Sequence, residues 1–420
     1  MKKRTIAWIL GLCAALLTAI PAQAQPLADD QRTSLRDALE LAWARHPQAA
    51  AMAAREAEAG ARAEVAAGIT PGPASVSLSS LGERLLGNHG KQEWEVEMAA
   101  PLWLPGQQAA REDEAASAMA EVATLGAALR LQVAGEVREA WWAVAAARNE
   151  RDLAERRIVT ARAVEADVMR RLRAGDLARS DANLAQDERL AAQAEAVQAQ
   201  AALLHAEQAW RNLTGAAAPA VLVAERAAAA SAPRSVSPQG MGVPLDHPQL
   251  AALAATARTA RARLRVAEAT RRDAPEFAVR VARDRDQSGE PFANTVGVKL
   301  TIPFSSGARV RQDSAAVQAE VLQADAELAL ARLRLTLEAD KARLDLDAAE
   351  RQLAMARERR ELTADNLSLA EKSFSLGESD LSTLLRARAG AFEAETAYSR
   401  QQVARAAALS RLQQALGVLP

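Results

Sequence analysis

Four short stretches of the chain alternate apolar and polar residues with period two. Val76 and Leu78 alternate with Ser75, Ser77 and Ser79, and Trp94, Val96, Met98 and Ala100 alternate with Glu93, Glu95 and Glu97. Later in the chain, Phe277, Val279 and Val281 alternate with partners that include Arg280, and Val296, Val298, Leu300 and Ile302 with Thr295, Lys299 and Thr301. Successive side chains of a strand point to opposite faces, so this pattern predicts four strands, each apolar on one face and polar on the other. Pro71, Pro73, Pro101, Pro105, Pro275 and Pro303 fall at their ends, where a missing N–H does least harm.

Between these strands the pattern is helical. The runs from about Gln107 to Arg173 and from about Ala308 to Leu376 contain no proline and few glycines. As single helices each would extend about 100 Å. Helices of that length need lateral support from other helices. Leu330, Leu337 and Leu344 recur at seven, with Leu333 between them, and Leu362, Leu369 and Leu376 repeat the spacing, which predicts coiled-coil seams. Shorter helices are predicted from about Ser34 to Ala67 and from Pro248 to Arg272, with Ser34 and Asp246 suited to cap them.

The same order of elements is written twice. Gly175 and Gly377 lie 202 positions apart in similar contexts, as do Gly215 and Gly417, and Pro101 and Pro303; His46-Pro47-Gln48 recurs 201 positions on as His247-Pro248-Gln249. One offset shared by four landmarks is a duplicated half, since the period is too long for a solenoid. The expected division is a leader over residues 1–24, a first repeat over 25–215, a linker rich in Ala, Pro, Gly and Ser over 216–245, and a second repeat over 246–420. The fold class is mainly α with a small β part, internally duplicated.

Composition agrees. Half of the 420 residues are apolar but only 3% are aromatic, which suits long helices packed side by side better than a compact core. The net charge of -1 gives no reason to expect nucleic acid. Lys2, Lys3 and Arg4, the apolar run Ile6 to Ile20 and the small-residue sequence Ala22-Gln23-Ala24 have the order of a secretory signal. The single cysteine, Cys13, lies inside it, preceded by Leu12 rather than the small residue that lipidation requires, so the exported chain is expected to have neither disulfides nor thiolate metal sites. No later stretch reaches the ~18 apolar residues of a spanning helix.

Strands of about 9–10 residues match those that cross a bilayer in a tilted barrel. A small soluble sheet with one face on a core would have the same period. Export and the strongly charged polar face favour the barrel, with Trp94 and Trp103 near opposite ends of one strand. Four strands cannot close, and an open edge in lipid leaves backbone groups unsatisfied. The membrane reading therefore demands several copies; a trimer supplies about twelve strands.

With these features in place, the chain resembles the TolC-like outer-membrane efflux proteins over nearly its whole exported length. The resemblance implies a homotrimer with a β-barrel in the outer membrane of a Gram-negative cell and a long α-helical barrel in the periplasm. It implies a passive duct that docks on an inner-membrane pump of the RND type through a periplasmic adaptor. The segment Arg283 to Phe292 and the strand Val296 to Phe304 resemble the cobalt–zinc–cadmium branch, which implies divalent heavy-metal export; a drug or type I secretion duct is the alternative within the family. The breaks at the ends of the long helices would be the periplasmic tips. By resemblance, Gly175, Leu177 and Ser180 in one tip and Gly377, Ser379 and Leu381 in the other dock the adaptor. Asp181 matches a gate acid by its distance from Gly175, whereas Thr383 and Arg386 stand where gate carboxylates are expected and Ser379 where a pairing arginine is; a differently charged ring using Arg386 and Arg388 is the remaining option.

No catalytic constellation emerges. His46, His89, His205 and His247 form no metal-binding spacing, and the first and last of these read as turn residues before proline. No phosphate loop is present, and the carboxylates lie three or four positions from basic residues on helices, as solvated ion pairs do. The expectation is no enzyme activity, no cofactor and no resident metal. Trp141 and Trp142 read as helix packing. A periplasmic coiled-coil adaptor or scaffold is the rival of another class; such proteins usually have one hairpin and no whole-chain duplication.

Overall fold

A computed structural model describes residues 34–82, 90–222, 225, 246–304 and 307–420. The expected leader with Cys13, most of the linker, and His89 lie outside them. The first half runs α1 (Leu35–Arg45), α2 (Pro47–Ala66), β1 (Ser75–Gly82), β2 (Gln92–Pro101), α3 (Gln107–Ala174) and α4 (Arg179–Thr214). The second runs α5 (Pro248–Ala269), β3 (Glu276–Arg285), β4 (Ala293–Thr301), α6 (Gly307–Ser375) and α7 (Leu381–Ala415). Both halves therefore follow one order of helix, two strands, very long helix and returning helix.

Ser34 caps α1 in a reciprocal box: its Oγ accepts from Asp37 N at 3.2 Å and its N donates to Asp37 Oδ2 at 2.9 Å. The first expected helix is in fact two. His46 takes an extended backbone (φ -70°, ψ 124°) and Pro47 opens α2, because proline has no N–H to continue α1 and disfavours a helical residue before it. In the second half the cap is His247 rather than Asp246; its Nδ1 accepts from Gln249 N at 3.2 Å.

The repeat landmarks meet in space. Gly417, at φ 77°, lies so close to His247 that an added Cβ would stand 2.7 Å from the ring and 2.9 Å from Pro248 Cδ. Gly215, at φ 76°, faces Arg45 beside His46 in the same way. Each half thus closes the end of its last helix onto its His-Pro corner, which opens α2 in the first half and α5 in the second.

With 68 and 69 residues, α3 and α6 are each about 100 Å long. Helix α3 runs along α4, α2, α5 and α7, and α6 along α7 and α5, so the packing of α3 on α5 and α7 joins the halves. One core packs Leu35, Leu39 and Ala42 of α1 against Val133, Val137, Trp141 and Val144 of α3 and Trp210 of α4. Trp141 is fully buried and its ring lies 5.7 Å from that of Trp210, as the packing role requires. A second core, at the helix tips, joins Val164, Val168, Ala182 and Ala185 to Phe374, Leu381 and Leu384.

The leucine spacing does not mark the seam within the chain. Leu330, Leu333, Leu337, Leu344, Leu362, Leu369 and Leu376 are between 46% and 72% exposed. What α6 buries is a smaller heptad row, Leu335, Ala342, Ala349 and Ala356. Small side chains let α6 and α7 approach closely, and a shift of two residues turns Leu337 and Leu344 to the far side of the helix. Among the described residues no helix is long and apolar enough to cross a membrane.

Candidate membrane sheet and helix tips

The four strands form one antiparallel sheet in the order β1-β2-β3-β4. Its register aligns the alternating residues into rungs. Val76, Met98, Val279 and Val298 make one, and Leu78, Val96, Val281 and Val296 the next. Ala100, Phe277 and Leu300 lie on the helix side of these, with Ile302 beyond. The expected apolar positions thus share one face, and Val76, Leu78, Trp94, Val96, Met98, Phe277, Val279, Val281, Val296, Val298, Leu300 and Ile302 are between 39% and 73% exposed. Among the described residues no element covers them, so within these residues the sheet does not rest on a core through this face.

The other face is ionic. Arg280 Nη1 lies 3.6 Å from Glu95 Oε1, and Lys299 Nζ 3.9 Å from Glu97 Oε1. The alanines Ala99, Ala278 and Ala282 between them are buried. Trp103 lies past the end of β2 and donates through Nε1 to Gly68 O at 3.0 Å, tying the strand exit to the end of α2.

At the far end of the long helices the two tips share one turn. Gly175 (φ 88°) donates to Leu172 O at 3.1 Å while Asp176 N donates to Arg171 O at 2.9 Å. Gly377 (φ 75°) donates to Phe374 O at 3.2 Å while Glu378 N donates to Ser373 O at 3.0 Å. This left-handed helix ending favours glycine. A Cβ at either would meet nothing within 4 Å, so both glycines serve the backbone angle and face open space.

Of the other expected tip residues, Ser180 is exposed, Leu177 and Ser379 are half-buried, and Leu381 is buried in the tip core. Leu381 therefore holds the two hairpins together and offers no surface. Asp181 sits in the first turn of α4, its Oδ2 accepting from Ala178 N at 3.1 Å. The structure explains why Thr383, 202 positions on, is no acid. The carboxylate has moved to Asp380, the equivalent of Ala178, where Oδ1 accepts from Thr383 N at 2.9 Å and Oδ2 from Ser382 Oγ at 2.7 Å. These bonds, the Thr383 bond first, hold Asp380 down to about 2. Sequence reasoning passed over Asp380; the 202-position offset was the signal that could have found it. Arg388 is tied across α6–α7 to Glu371 at 2.9 Å, and Arg386 is exposed with no ion pair among the described residues.

Behind the tips, a cleft of about 890 Å³ separates the two hairpins. Its walls carry ion pairs, including Arg157–Glu188 at 3.0 Å and Arg360–Glu395 at 3.6 Å, with Arg157 also 5.2 Å from the Phe392 ring. Nearer the sheet, buried Arg138 of α3 grips Glu225, Nη2 to Oε1 at 2.8 Å, and its Nη1 donates to Gln414 Oε1 of α7 at 2.6 Å. Ser410 Oγ also donates to Glu225. This clamp joins both halves to the segment between them. Nothing in the sequence singles out Arg138 or Glu225, which are 87 positions apart. Among the described residues no group of three or more His, Cys, Asp or Glu is placed to hold a metal ion.

Residues 245–418 match the outer membrane efflux protein family. The match takes in the whole described second half, from α5 to α7. Among curated proteins, none matches the chain in sequence. Solved structures match along both halves. A membrane protein from Pseudomonas aeruginosa is 20% identical with a TM-score of 0.74, covering 92% of this chain and 91% of its own. The outer membrane protein VceC from Vibrio cholerae is 16% identical with a TM-score of 0.72, covering 91% and 96%. CusC, described for its transmembrane channel formation, is 16% identical with a TM-score of 0.75, covering 93% of each. At these identities the likeness is one of fold. The expected class, mainly helical with a small four-stranded antiparallel sheet, is the class observed.

Proposed function

We propose that the chain is one subunit of a trimeric outer-membrane efflux duct. The observation that carries this reading is the exposed apolar face shared by all four strands and backed by an ionic face. In water that face would be costly; in a bilayer it meets lipid while the charged face lines an aqueous lumen. From Leu102 to Trp94 the strand covers about 27 Å, or about 20 Å of membrane depth at a typical barrel tilt.

Closure follows from the edges. Among the described residues strands β1 and β4 have no partner on their outer sides, and in an antiparallel sheet of four they run in opposite directions. A rotated copy can therefore set its β1 antiparallel to β4, a head-to-tail contact that closes into a ring. Three copies give a barrel of about twelve strands. The exposed leucine row of α6 supports the same assembly, since copies side by side would cover it.

In this assembly the helices extend about 100 Å into the periplasm. The tips around Gly175, Ser180 and Gly377 would meet a periplasmic adaptor and, through it, an inner-membrane pump that supplies the energy, the duct itself being passive. Asp181, Asp380, Arg386 and Arg388 would ring the tip opening. The resemblance of the Arg283–Phe304 segment supports divalent heavy-metal cations as cargo.

The test of the duct is fractionation and size. The protein should stay with outer membranes through a carbonate wash and come out in detergent as a trimer well over 100 Å long. A monomer released by the wash refutes the reading. Cargo is tested separately: loss of the gene should sensitise cells to zinc, cobalt or cadmium, and sensitivity to drugs alone points to the other branch.

A further inference from the structure

The apolar face of the sheet ends abruptly in a pair of arginines. Along β3 the residues on that face are Phe277, Val279, Val281, Arg283 and Arg285. The rung above Val281 consists of Ser80, Trp94, Arg283 and Asn294, so one step along the sheet replaces valines by a tryptophan and a guanidinium. Both arginines lean on one ring: Arg283 Cζ is 4.7 Å and Arg285 Cζ 4.9 Å from the centroid of Phe292 in the β3–β4 loop. That loop is packed on the neighbouring hairpin, where a Cβ on Gly90 would stand 2.7 Å from Ser288 Cβ.

Two guanidiniums gathered over one ring repel each other unless an anion lies nearby. Among the described residues no carboxylate supplies one. Among the described residues neither arginine has an ion pair, although Asp284, Asp286 and Glu290 are close in sequence. Asp284 points to the opposite face, paired in register with Glu93. Arg285 Nε is buried with no hydrogen-bond partner.

We infer that Arg283 and Arg285 form a binding site for the phosphate of an anionic membrane lipid. Guanidinium forks match phosphate oxygens bidentately. The site sits on the outward face where the valines stop, the depth at which headgroups begin and at which aromatic residues such as Trp94 anchor. Acyl chains would lie on the Val281–Val296 rung below. That continuity with the apolar face commits the site to a lipid rather than to free phosphate. It lies at the hairpin end of the sheet, remote from the helices, so the lipid belongs to the outer leaflet. The proposal rests on the duct reading, because only that reading puts this face in a bilayer.

The test uses the full detergent-extracted protein, lipid retention being read by native mass spectrometry. Wild type should retain dioleoylphosphatidic acid about tenfold more than dioleoylphosphatidylcholine, and the double variant Arg283→Gln/Arg285→Gln should retain both alike. Phe292→Leu, which keeps both charges but loosens their geometry, should fall between. Millimolar inorganic phosphate should not displace the lipid; full displacement means a site for free anions and overturns the inference. Retention of phosphatidic acid by the double variant at the wild-type level also overturns it. A protein that needs no detergent fails the duct reading before any lipid is added, so the two failures are distinct.

Discussion

The two halves of the chain have one backbone plan and two electrostatic solutions. At the tips, α3 and α6 end in the same left-handed glycine turn, yet the first returning helix is capped from its third residue by Asp181 and the second from its preceding residue by Asp380. At the helix corners, Gly215 meets a flexible arginine and Gly417 a buried imidazole. Only the first half carries the buried Arg138; its counterpart 202 positions on is Asp340, in a local pair with Arg343. Geometry that closes helices is kept in both copies, while the charges that satisfy it are free to move by a turn.

The largest effect expected is at the buried clamp. Arg138→Ala strands Glu225 without its partner and should cost about 3–5 kcal/mol in denaturant unfolding of the detergent-solubilised protein. Asp340→Ala, at the equivalent surface position, should stay within about 0.5 kcal/mol. Equal costs would mean that the clamp is not what joins the halves. Next come the corners. Gly417→Ala forces a Cβ onto His247 and Pro248 at a left-handed angle and should cost about 2–3 kcal/mol. Gly215→Ala, where Arg45 can swing aside, should cost about 1–2 kcal/mol, and Gly175→Ala or Gly377→Ala, in open space, about 1 kcal/mol each. A reversal of that order in the same unfolding assay would remove close approach as the reason for the corner glycines.

A smaller effect separates the corners by pH. Burial lowers the His247 pKa from its ordinary 6.5, against the opposing charge of Asp246. The unfolded chain then binds more protons than the folded one, so this contribution is complete above pH 6.5 and is lost as pH falls through the lower folded value. Protonation also destroys the Nδ1 acceptor that caps α5. Melting curves from pH 7.5 to 5 should show a slope for wild type that is reduced in His247→Asn, whose amide oxygen can cap at any pH. The least effect is expected from exchanging tips. Ala178→Asp with Asp181→Thr writes the second cap into the first tip and should melt where the parent does at neutral pH. Asp380→Ala should matter above pH 4 and cease to matter as pH falls through about 2, where the parent's own cap is protonated.

Much of this plan could be read from residues. Period-two alternation located all four strands, because a face that meets one solvent throughout must keep one chemistry, and the 202-position offset located both tips. The long helices were legible as uninterrupted runs without proline. Other features were not. Leucines at seven-residue spacing pointed to a seam, but spacing cannot say whether the seam faces the same chain, and alanines took the inner one. Pro47 was in view as a landmark, yet its power to split α1 from α2 depends on the corner that Gly215 closes. The pairing of Arg138 with Glu225 joins a helix to a segment with no pattern at all. Leu381 looked like a tip residue by position and is one, but its side chain turns inward because two hairpins meet there.

The unpaired flanks of β1 and β4 have a genetic corollary. If each ring needs every copy to offer two sound flanks, a copy with a spoiled one ruins whatever ring it joins. In the proposed ring of three, a cell making sound and spoiled copies in equal amounts would then complete only about one ring in eight. A proline that blocks β4 would behave as a dominant allele, although the cell still holds a full dose of the intact gene.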